Sequence, residues 1–274
     1  MLIIHYSMSQ VVLITGVSSG FGKSISEFLC KQGYKVYGTS RREIQHDPAI
    51  SILNVDVTDP QSVQRAVNSV LEKEGRIDAL VNNAGMGLSG AIEDYSTDEA
   101  HREMETNFFG TFYTIRAVLP AMRQQKSGKI INIGSIGGIM GLPFQGFYSA
   151  SKFAIEGLSQ ALRMELKKFN IKVIVVNPGD HQTQFTANRK FIAKALEEGA
   201  YHQQFQKSIA IIEKDEHNGL PSTSVAKKIH KIISKKNPCT RYIVSTFEQK
   251  LAVWLKHILP GSWFWKIIGD HYGV

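Results

Sequence analysis

Three glycines stand within the eight residues of TGVSSGFG, from Thr15 to Gly22, near the start of the chain. The apolar run Val11–Ile14 precedes this segment, and apolar residues follow it at helical spacing until Gly33. Glycine permits a positive φ and a close approach of backbone to ligand, and a helix amino terminus directs unpaired N–H groups at one point. The order strand, glycine turn, helix therefore predicts a phosphate site. A glycine turn that binds no ligand is the alternative.

The length of 274 residues, 30.6 kDa, fits one α/β domain, and no internal repeat or flexible linker divides the chain. We expect this domain to cover residues 9–274, with residues 1–8 as an N-terminal extension, because Met8 would serve equally well as a start. No apolar run approaches the ~18 residues that span a bilayer. The opening segment MLIIHYSMSQ also lacks the basic start of a secretory signal, so neither a transmembrane nor a secreted protein is expected.

Two cysteines, Cys30 and Cys239, cannot build a disulfide framework, and no Cys or His spacing resembles a metal site. We interpret both cysteines as buried packing residues, and we expect a cytoplasmic protein without a metal. The net charge of +8 would suit a dinucleotide, a membrane surface or a nucleic acid. The lysines of residues 226–236 leave Val225 and Ile229 on the opposite side of a helix, which favours a solvated helix face over nucleic-acid binding.

Short runs rich in β-branched residues alternate with stretches of ten or more residues at helical spacing along most of the chain. This alternation predicts a parallel sheet with helices on both faces, a doubly wound α/β fold. Ligands of such folds bind in the crevice at the carboxyl ends of the strands. After Val11–Ile14, the predicted strands cover residues 34–40, 50–57, 78–83, 129–135 and 172–179.

Small and polar residues follow the predicted strands where core packing does not require them. A further segment, YSASK, places Tyr148 and Lys152 at positions i and i+4 of a predicted helix, so that both side chains can reach one ligand. Together these residues predict a long groove at one edge of the sheet. The residues at the strand ends are Ser40, Arg41, Arg42, Asp56, Asn82, Asn83, Ala84, Gly85, Ser135, Asn177, Pro178 and Gly179.

These motifs resemble the short-chain dehydrogenase/reductase family, and within it the branch related to 17β-hydroxysteroid and retinol dehydrogenases most. TGVSSGFG, the Asp56-Val57 pair, NNAG, the Asn of NFFGTF, Ser135, Y-x-x-x-K and P-G-x-x-x-T occur in the family's order over about residues 9–185. The resemblance implies a Rossmann-type fold of about seven strands in a single domain. It also implies an oxidoreductase that interconverts an alcohol and a ketone or aldehyde by hydride transfer.

The resemblance assigns four catalytic positions. Tyr148 corresponds to the general acid and base, and Lys152 to the cation that favours the phenolate and holds the nicotinamide ribose. Ser135 corresponds to the hydrogen-bonding partner of the substrate oxygen, and Asn107 to the residue that orders a water toward Lys152. Taken one at a time, these side chains could be ordinary helix and turn residues, and only their joint occurrence predicts a site.

The resemblance also assigns a dinucleotide site, with NADP(H) preferred and NAD(H) as the alternative. An Asp or Glu at the end of the second strand usually selects the unphosphorylated cofactor, whereas Ser40 is neutral and Arg41 can bind a 2′-phosphate. Asp180 and His181 depart from the family pattern near the nicotinamide end. The expected cofactor-binding residues are Thr15, Gly16, Ser18, Ser19, Gly20, Phe21, Gly22, Ser40, Arg41, Arg42, Asp56, Val57, Asn83, Ala84, Gly85, Tyr148, Lys152, Pro178, Gly179 and Thr183.

Beyond Thr183 the resemblance fades. We expect residues 184–220 to form a partly mobile lid, and residues 87–88, 139–144 and this lid to enclose an apolar pocket for a hydrophobic alcohol or ketone.

A C-terminal helical segment, residues 246–270, carries an apolar stripe of Leu251, Trp254, Leu255 and Ile258. Such stripes are most often core or subunit contacts, and contact with a membrane interface is the alternative. We also expect a homodimer or homotetramer. An inactive dinucleotide-binding sensor and a peripheral membrane enzyme acting on a lipid-borne substrate are the alternative functions.

Overall fold

A computed structural model describes residues 9–183 and 189–274 of the chain. The expected extension, residues 1–8, and the first part of the expected lid, including Phe185, lie outside the described residues. Seven parallel strands form the central sheet, and helices cover both of its faces. Their order across the sheet is Arg241–Val244, Ile171–Pro178, Gly128–Ile133, Ala79–Asn82, Val11–Ile14, Lys35–Ser40 and Ile50–Asn54. The doubly wound α/β fold is confirmed. Within the described residues, no helix is long and apolar enough to cross a membrane.

The strands lie close to the predicted runs, with boundaries that differ by up to three residues. The exceptions are Arg241–Val244 in the central sheet and four strands of two residues outside it, which the sequence did not predict. The strands are β1 Val11–Ile14, β2 Lys35–Ser40, β3 Ile50–Asn54, β4 Ala79–Asn82, β5 Leu88–Ser89, β6 Gly128–Ile133, β7 Ile171–Pro178, β8 His181–Gln182, β9 Lys190–Phe191, β10 Leu220–Pro221 and β11 Arg241–Val244. The short strands pair in parallel outside the main sheet, β5 with β9 and β8 with β10.

The helices connect the strands as crossovers. A π-helical turn, Glu105–Phe109, joins the third helix to the fourth and carries Asn107. The helices are α1 Gly20–Lys31, α2 Pro60–Glu74, α3 Thr97–Met104, α4 Gly110–Gln125, α5 Gly146–Glu165, α6 His202–His217, α7 Thr223–Ser234, α8 Phe247–Leu255 and α9 Gly261–Tyr272. Helix α1 begins at Gly20, so the last two glycines of the turn, Gly20 and Gly22, already belong to its first turn.

Apolar side chains form three buried clusters. Two of them lie on opposite faces of the sheet. Helices α1 and α7 cover one of these faces, and there Val225 and Ile229 of α7 are buried as predicted. The third cluster lies beyond the carboxyl ends of the strands and includes Leu88, Ile139, Phe205 and Ile268. The third cluster therefore packs beside the predicted substrate end of the groove.

The structure contradicts the interpretation of both cysteines as buried, and it excludes one of the roles that the sequence left open for the C-terminal stripe. Cys239 is exposed and Cys30 is only half-buried, so the pair are not both buried packing residues. The C-terminal stripe is not core either, because Trp254 is 61% and Ile258 54% exposed, while Val253 on the other side of α8 is buried.

Candidate functional site

A groove of about 760 Å³ runs along the carboxyl ends of the central strands. It collects residues from the first, second, third, fourth, sixth and seventh strands or the turns that follow them, as the fold class predicts. Of the predicted site residues, all but Thr15, Gly22 and Asn107 line this groove. Those in the lining are Gly16, Ser18, Ser19, Gly20, Phe21, Ser40, Arg41, Arg42, Asp56, Val57, Asn83, Ala84, Gly85, Ser135, Tyr148, Lys152, Pro178, Gly179 and Thr183.

The glycine turn is tied to the turn after β4 by side-chain hydrogen bonds. The Thr15 hydroxyl accepts hydrogen bonds from the backbone N–H groups of Asn83 and Ala84, both at 2.9 Å. The Asn83 amide donates to the carbonyl oxygens of Thr15 and Gly16, at 3.0 and 2.9 Å. Thr15 and Gly22 therefore lie behind the groove wall, where they and the Asn83 amide shape the turn.

The amino terminus of α1 opens into the groove with features that suit an anion. Gly20 has a φ of +55°, and a Cβ there would meet nothing closer than Thr183, at 4.0 Å. Ser19, at the N-cap, makes no capping hydrogen bond through its side chain, and the first turn of α1 contains no acidic residue. Open space, unpaired N–H groups and the helix dipole at this point fit the pyrophosphate of a dinucleotide.

A compact turn after β2 presents two arginines to the groove. The buried Ser40 hydroxyl donates a hydrogen bond to the Arg42 carbonyl, at 2.7 Å, and accepts one from the Arg42 N–H, at 3.2 Å. Arg41 and Arg42 are exposed, and neither has a carboxylate within 4.0 Å among the described residues. Both guanidinium groups are therefore available to an anionic group in the groove.

Ser135, Tyr148 and Lys152 meet at the other end of the groove. Ser135 follows β6 and is held by a hydrogen bond from the Gly137 N–H to its hydroxyl, at 3.0 Å. Burial raises the pKa of Tyr148 to about 12, and a hydrogen bond with the Ser135 side chain opposes this rise. The Lys152 ammonium donates to the Ile133 carbonyl, at 2.9 Å, and lies 5.8 Å from the Tyr148 ring centroid. The geometry thus brings a phenol, a hydroxyl and an ammonium together, as predicted.

Lys152 and the buried carboxyl group of Glu103 shift each other's pKa through their opposite charges. Burial lowers the pKa of Lys152 to about 8, while the negative charge of Glu103 opposes this lowering. Burial raises the pKa of Glu103 to about 7, and its Oε1 accepts a hydrogen bond from the Leu88 N–H, at 3.0 Å. Glu103 Oε2 has no hydrogen-bond partner among the described residues. The sequence pattern gave no signal for this residue, because a Glu four positions before Asn107 looks like any polar helix residue.

Asn107 is buried and lies next to Lys152 without lining the groove. Its amide accepts a hydrogen bond from the Met86 N–H, at 2.8 Å, and donates to the Met86 carbonyl, at 2.9 Å, and to the Ser151 hydroxyl, at 3.0 Å. A Cβ on Gly85 would lie 3.1 Å from Asn107 Oδ1 and 3.8 Å from Lys152 Nζ. The Asn107 side chain therefore fastens the segment after β4 to α5 beside the predicted catalytic residues.

The predicted substrate end is more polar than the sequence suggested. Ile136, Leu142 and Ile212 supply apolar lining, whereas Leu88 and Ile139, expected in the pocket, are buried in the third cluster. Three residues of the lining, Lys190, Ile212 and Glu216, belong to the expected lid. The lining that the sequence did not predict is Thr39, Val55, Met86, Arg102, Thr106, Ile133, Gly134, Ile136, Gln145, Asp180, His181 and Tyr272.

Two carboxyl groups stand out in this part of the groove. Burial and the nearby charges of Glu216 and Asp215 raise the pKa of Asp180 to about 7, and the Gln249 amide donates a hydrogen bond to its carboxyl. Glu216 forms an ion pair with Arg189, at 2.6 Å, and its charge also raises the pKa of Tyr148.

Among the described residues, no cluster of His, Cys, Asp and Glu could hold a metal ion.

A doubly wound sheet, an anion-binding glycine turn and a Ser-Tyr-Lys set in one groove define a dinucleotide-binding oxidoreductase. The sequence profile of the short chain dehydrogenase family matches residues 10–191, about two thirds of the chain. The chain belongs to the short-chain dehydrogenase/reductase family.

Known proteins resemble this chain over nearly its whole length. A 3-ketodihydrosphingosine reductase of Bacteroides thetaiotaomicron is 48% identical over 253 residues, which cover 92% of this chain and 94% of that protein. A crystal structure of a short-chain dehydrogenase from Streptomyces avermitilis has 30% identity and a TM-score of 0.78, covering 91% of this chain and 92% of that one. The structure of ElxO with NADP bound has 28% identity and a TM-score of 0.71, with 86% and 96% covered.

Proposed function

We propose that this protein reduces the ketone of a hydrophobic substrate to an alcohol with NADPH, in a reversible reaction. The observation that carries this proposal is the convergence of Ser135, Tyr148 and Lys152 at one end of a groove whose other wall is an anion-binding glycine turn. The proposed enzyme unit is residues 9–274, with residues 189–220 beside the substrate end.

The nicotinamide supplies the hydride when the dinucleotide is bound, and the chain's own side chains control the proton. Ser135 donates a hydrogen bond to the carbonyl oxygen and so polarises it. A phenol with a pKa of about 12 is protonated at neutral pH, which makes Tyr148 the donor to the oxygen as that atom gains negative charge. The Lys152 ammonium stabilises the phenolate that remains, and it would also hold the nicotinamide ribose.

The NADP(H) preference is supported by the turn after β2. The hydrogen bonds between the Ser40 hydroxyl and the Arg42 main chain fix the backbone that carries Arg41 and Arg42, and position 40 holds no carboxylate that would repel a 2′-phosphate. The NADP bound to the structurally similar ElxO agrees with this preference.

We further propose that the substrate is a long-chain ketone with an amino group next to the carbonyl carbon, as in 3-ketodihydrosphingosine. The 48% identity to the Bacteroides reductase supports this substrate class. The groove supports it as well, because Asp180 and Glu216 can interact with an ammonium group, while Ile136, Leu142 and Ile212 offer an apolar surface to a hydrocarbon chain.

We also propose a cytoplasmic homodimer or homotetramer. Helices α4 and α5 expose apolar side chains that their own sheet does not cover, namely Phe112, Phe153 and Met164. Exposed apolar residues on neighbouring helices are typical of a subunit contact.

The experiment that tests the proposed function measures oxidation of NADPH with 3-ketodihydrosphingosine and with a ketone of equal chain length that lacks the amino group. We expect faster turnover of the amino ketone, and we expect Tyr148→Phe to abolish turnover while NADPH still binds, because the ring remains and the proton donor is lost. Turnover in Tyr148→Phe within a few-fold of the wild type would overturn the mechanism. Binding of NADPH without reduction of any ketone would indicate a sensor.

A further inference from the structure

The two C-terminal helices, α8 and α9, each have a buried and an exposed apolar face. Val253 of α8 and Phe264, Ile268 and Tyr272 of α9 are buried in the third cluster, and Tyr272 also lines the groove. The exposed sides of these helices and the turn between them carry what we call the outer face. It consists of Phe247, Leu251, Trp254, Ile258, Trp263, Trp265 and Ile267, which are 41–75% exposed.

The residues of the outer face follow a regular spacing and include all three tryptophans of the chain. Phe247, Leu251 and Trp254 form a stripe along α8 at spacings of four and three residues, and Ile258 in the turn after α8 follows at the next helical spacing of four. All three tryptophans of the chain, Trp254, Trp263 and Trp265, lie on the outer face. Large apolar patches are rare on monomeric soluble proteins and generally mark a contact surface. Tryptophan in particular favours the boundary between water and lipid, because its ring is apolar and its N–H is polar.

The charges around the outer face favour a lipid bilayer over a second copy of the chain as the partner that covers it. Lys250 and Lys266 lie on these helices, and Lys256 directly follows α8, where its ammonium also donates a hydrogen bond to the Ile139 carbonyl. The three lysines outnumber the acidic Glu248 and Asp270, and the whole chain carries +8. A two-fold contact places the same patch on both subunits and would bring these lysines together. A bilayer with anionic lipid attracts them, by about 1 kcal/mol for each lysine near the surface.

We propose that the outer face docks the protein onto an anionic phospholipid bilayer, with α8 and α9 lying in the plane of the interface. No helix of the described residues could cross the bilayer, so the contact is peripheral. Helix α9 carries part of the outer face, and its Tyr272 lines the substrate end of the groove. The same helix therefore borders both the bilayer and the groove. A hydrophobic substrate could then pass from lipid to groove along a short path. The docking itself does not depend on which ketone the protein reduces.

Intrinsic fluorescence tests this proposal directly, because every tryptophan of the chain lies on the outer face. With phosphatidylcholine vesicles that contain phosphatidylglycerol, we expect the emission to shift to shorter wavelength, brominated acyl chains to quench it, and the protein to float with the vesicles. Phosphatidylcholine alone and added salt should weaken the binding. Trp254→Ser should lower the partition coefficient about tenfold, since a half-inserted tryptophan buries roughly 60 Å² more apolar surface than serine.

The matched control is Leu196→Ser, which removes an equally exposed apolar side chain, 62% exposed, outside the outer face. We expect this variant to bind vesicles like the wild type, and both variants to keep the wild-type unfolding midpoint. No flotation of the wild type, or equal flotation of Trp254→Ser, would overturn the proposal. An emission shift that appears with rising protein concentration and without vesicles would instead assign the outer face to a second copy. These measurements involve no turnover, so their failure is distinguishable from failure of the proposed reaction.

Discussion

Replacing Gly22 by alanine should damage the dinucleotide site although Gly22 does not line the groove. A Cβ at this position would lie 2.0 Å from the Gly16 carbonyl oxygen and 2.5 Å from the Asn83 amide nitrogen. Contacts below 3.0 Å essentially never occur for Cβ atoms, so the Gly16 carbonyl must move by about 1 Å. Gly16 has little room to move toward Ala84, because even a Cβ on Gly16 would lie only 2.9 Å from the Ala84 Cα.

The expected magnitude follows from the contacts that this movement breaks. Losing the hydrogen bond from Asn83 to Gly16, now 2.9 Å long, leaves a polar pair unsatisfied, which costs about 1–3 kcal/mol. Overpacking adds about 1–3 kcal/mol. The free energy of unfolding should therefore fall by roughly 2–6 kcal/mol. A turn displaced by 1 Å also misaligns the N–H groups that would bind the pyrophosphate, so the NADPH dissociation constant should rise at least about tenfold.

Denaturant unfolding and titration of NADPH fluorescence measure the two effects separately. Gly199→Ala is the control, because Gly199 has nothing within 4 Å of an added Cβ and lies outside the groove lining. Asn83→Ala removes the same hydrogen bonds without adding a Cβ at Gly22 and should show an intermediate loss of about 1–3 kcal/mol. Wild-type NADPH affinity in Gly22→Ala would refute this reasoning about the turn.

Four further outcomes are expected. Arg41→Ala should weaken NADPH binding about tenfold to a hundredfold at low salt and leave NADH binding unchanged; equal wild-type affinities for the two cofactors would contradict this. Lys152→Ala should lower both kcat and cofactor affinity, whereas Tyr148→Phe should lower kcat alone, as steady-state kinetics and cofactor titration can separate. The pKa of Asp180, raised to about 7 by burial, leaves its carboxyl mostly neutral at pH 6 and mostly charged at pH 8, so KM for an amino ketone whose amine stays protonated should fall over this range. Asp180→Asn should abolish that pH dependence and leave KM for an amine-free ketone unchanged. Light scattering should show a dimer or tetramer at micromolar concentration, and a monomer would count against the proposed subunit contact.

The sequence alone determined the fold class and the location of the groove. Strand and helix periods are local properties of the chain, and parallel crossovers place every strand's carboxyl end at one edge of the sheet. The glycine turn, Ser135 and the Tyr148–Lys152 pair could therefore be assigned to one groove before any contact was known. The structure confirms that they share it.

Only the tertiary structure decided which of these residues face the groove and which support it. Thr15 and Asn83 carry side chains that could bind a ligand, and the sequence cannot show that their partners are each other's backbones. Glu103 has no pattern of its own, and its burial beside Lys152 results from how α3 packs against α5.

The orientation of the C-terminal helices also depended on the tertiary fold. Both sides of α8 are apolar, so the helical period predicts an apolar stripe but cannot tell whether Val253 or Trp254 faces inward. Packing against the third cluster buries Val253 and leaves Trp254 exposed. Local sequence patterns specify which residues share a face, whereas the direction of that face depends on contacts between segments far apart in the chain.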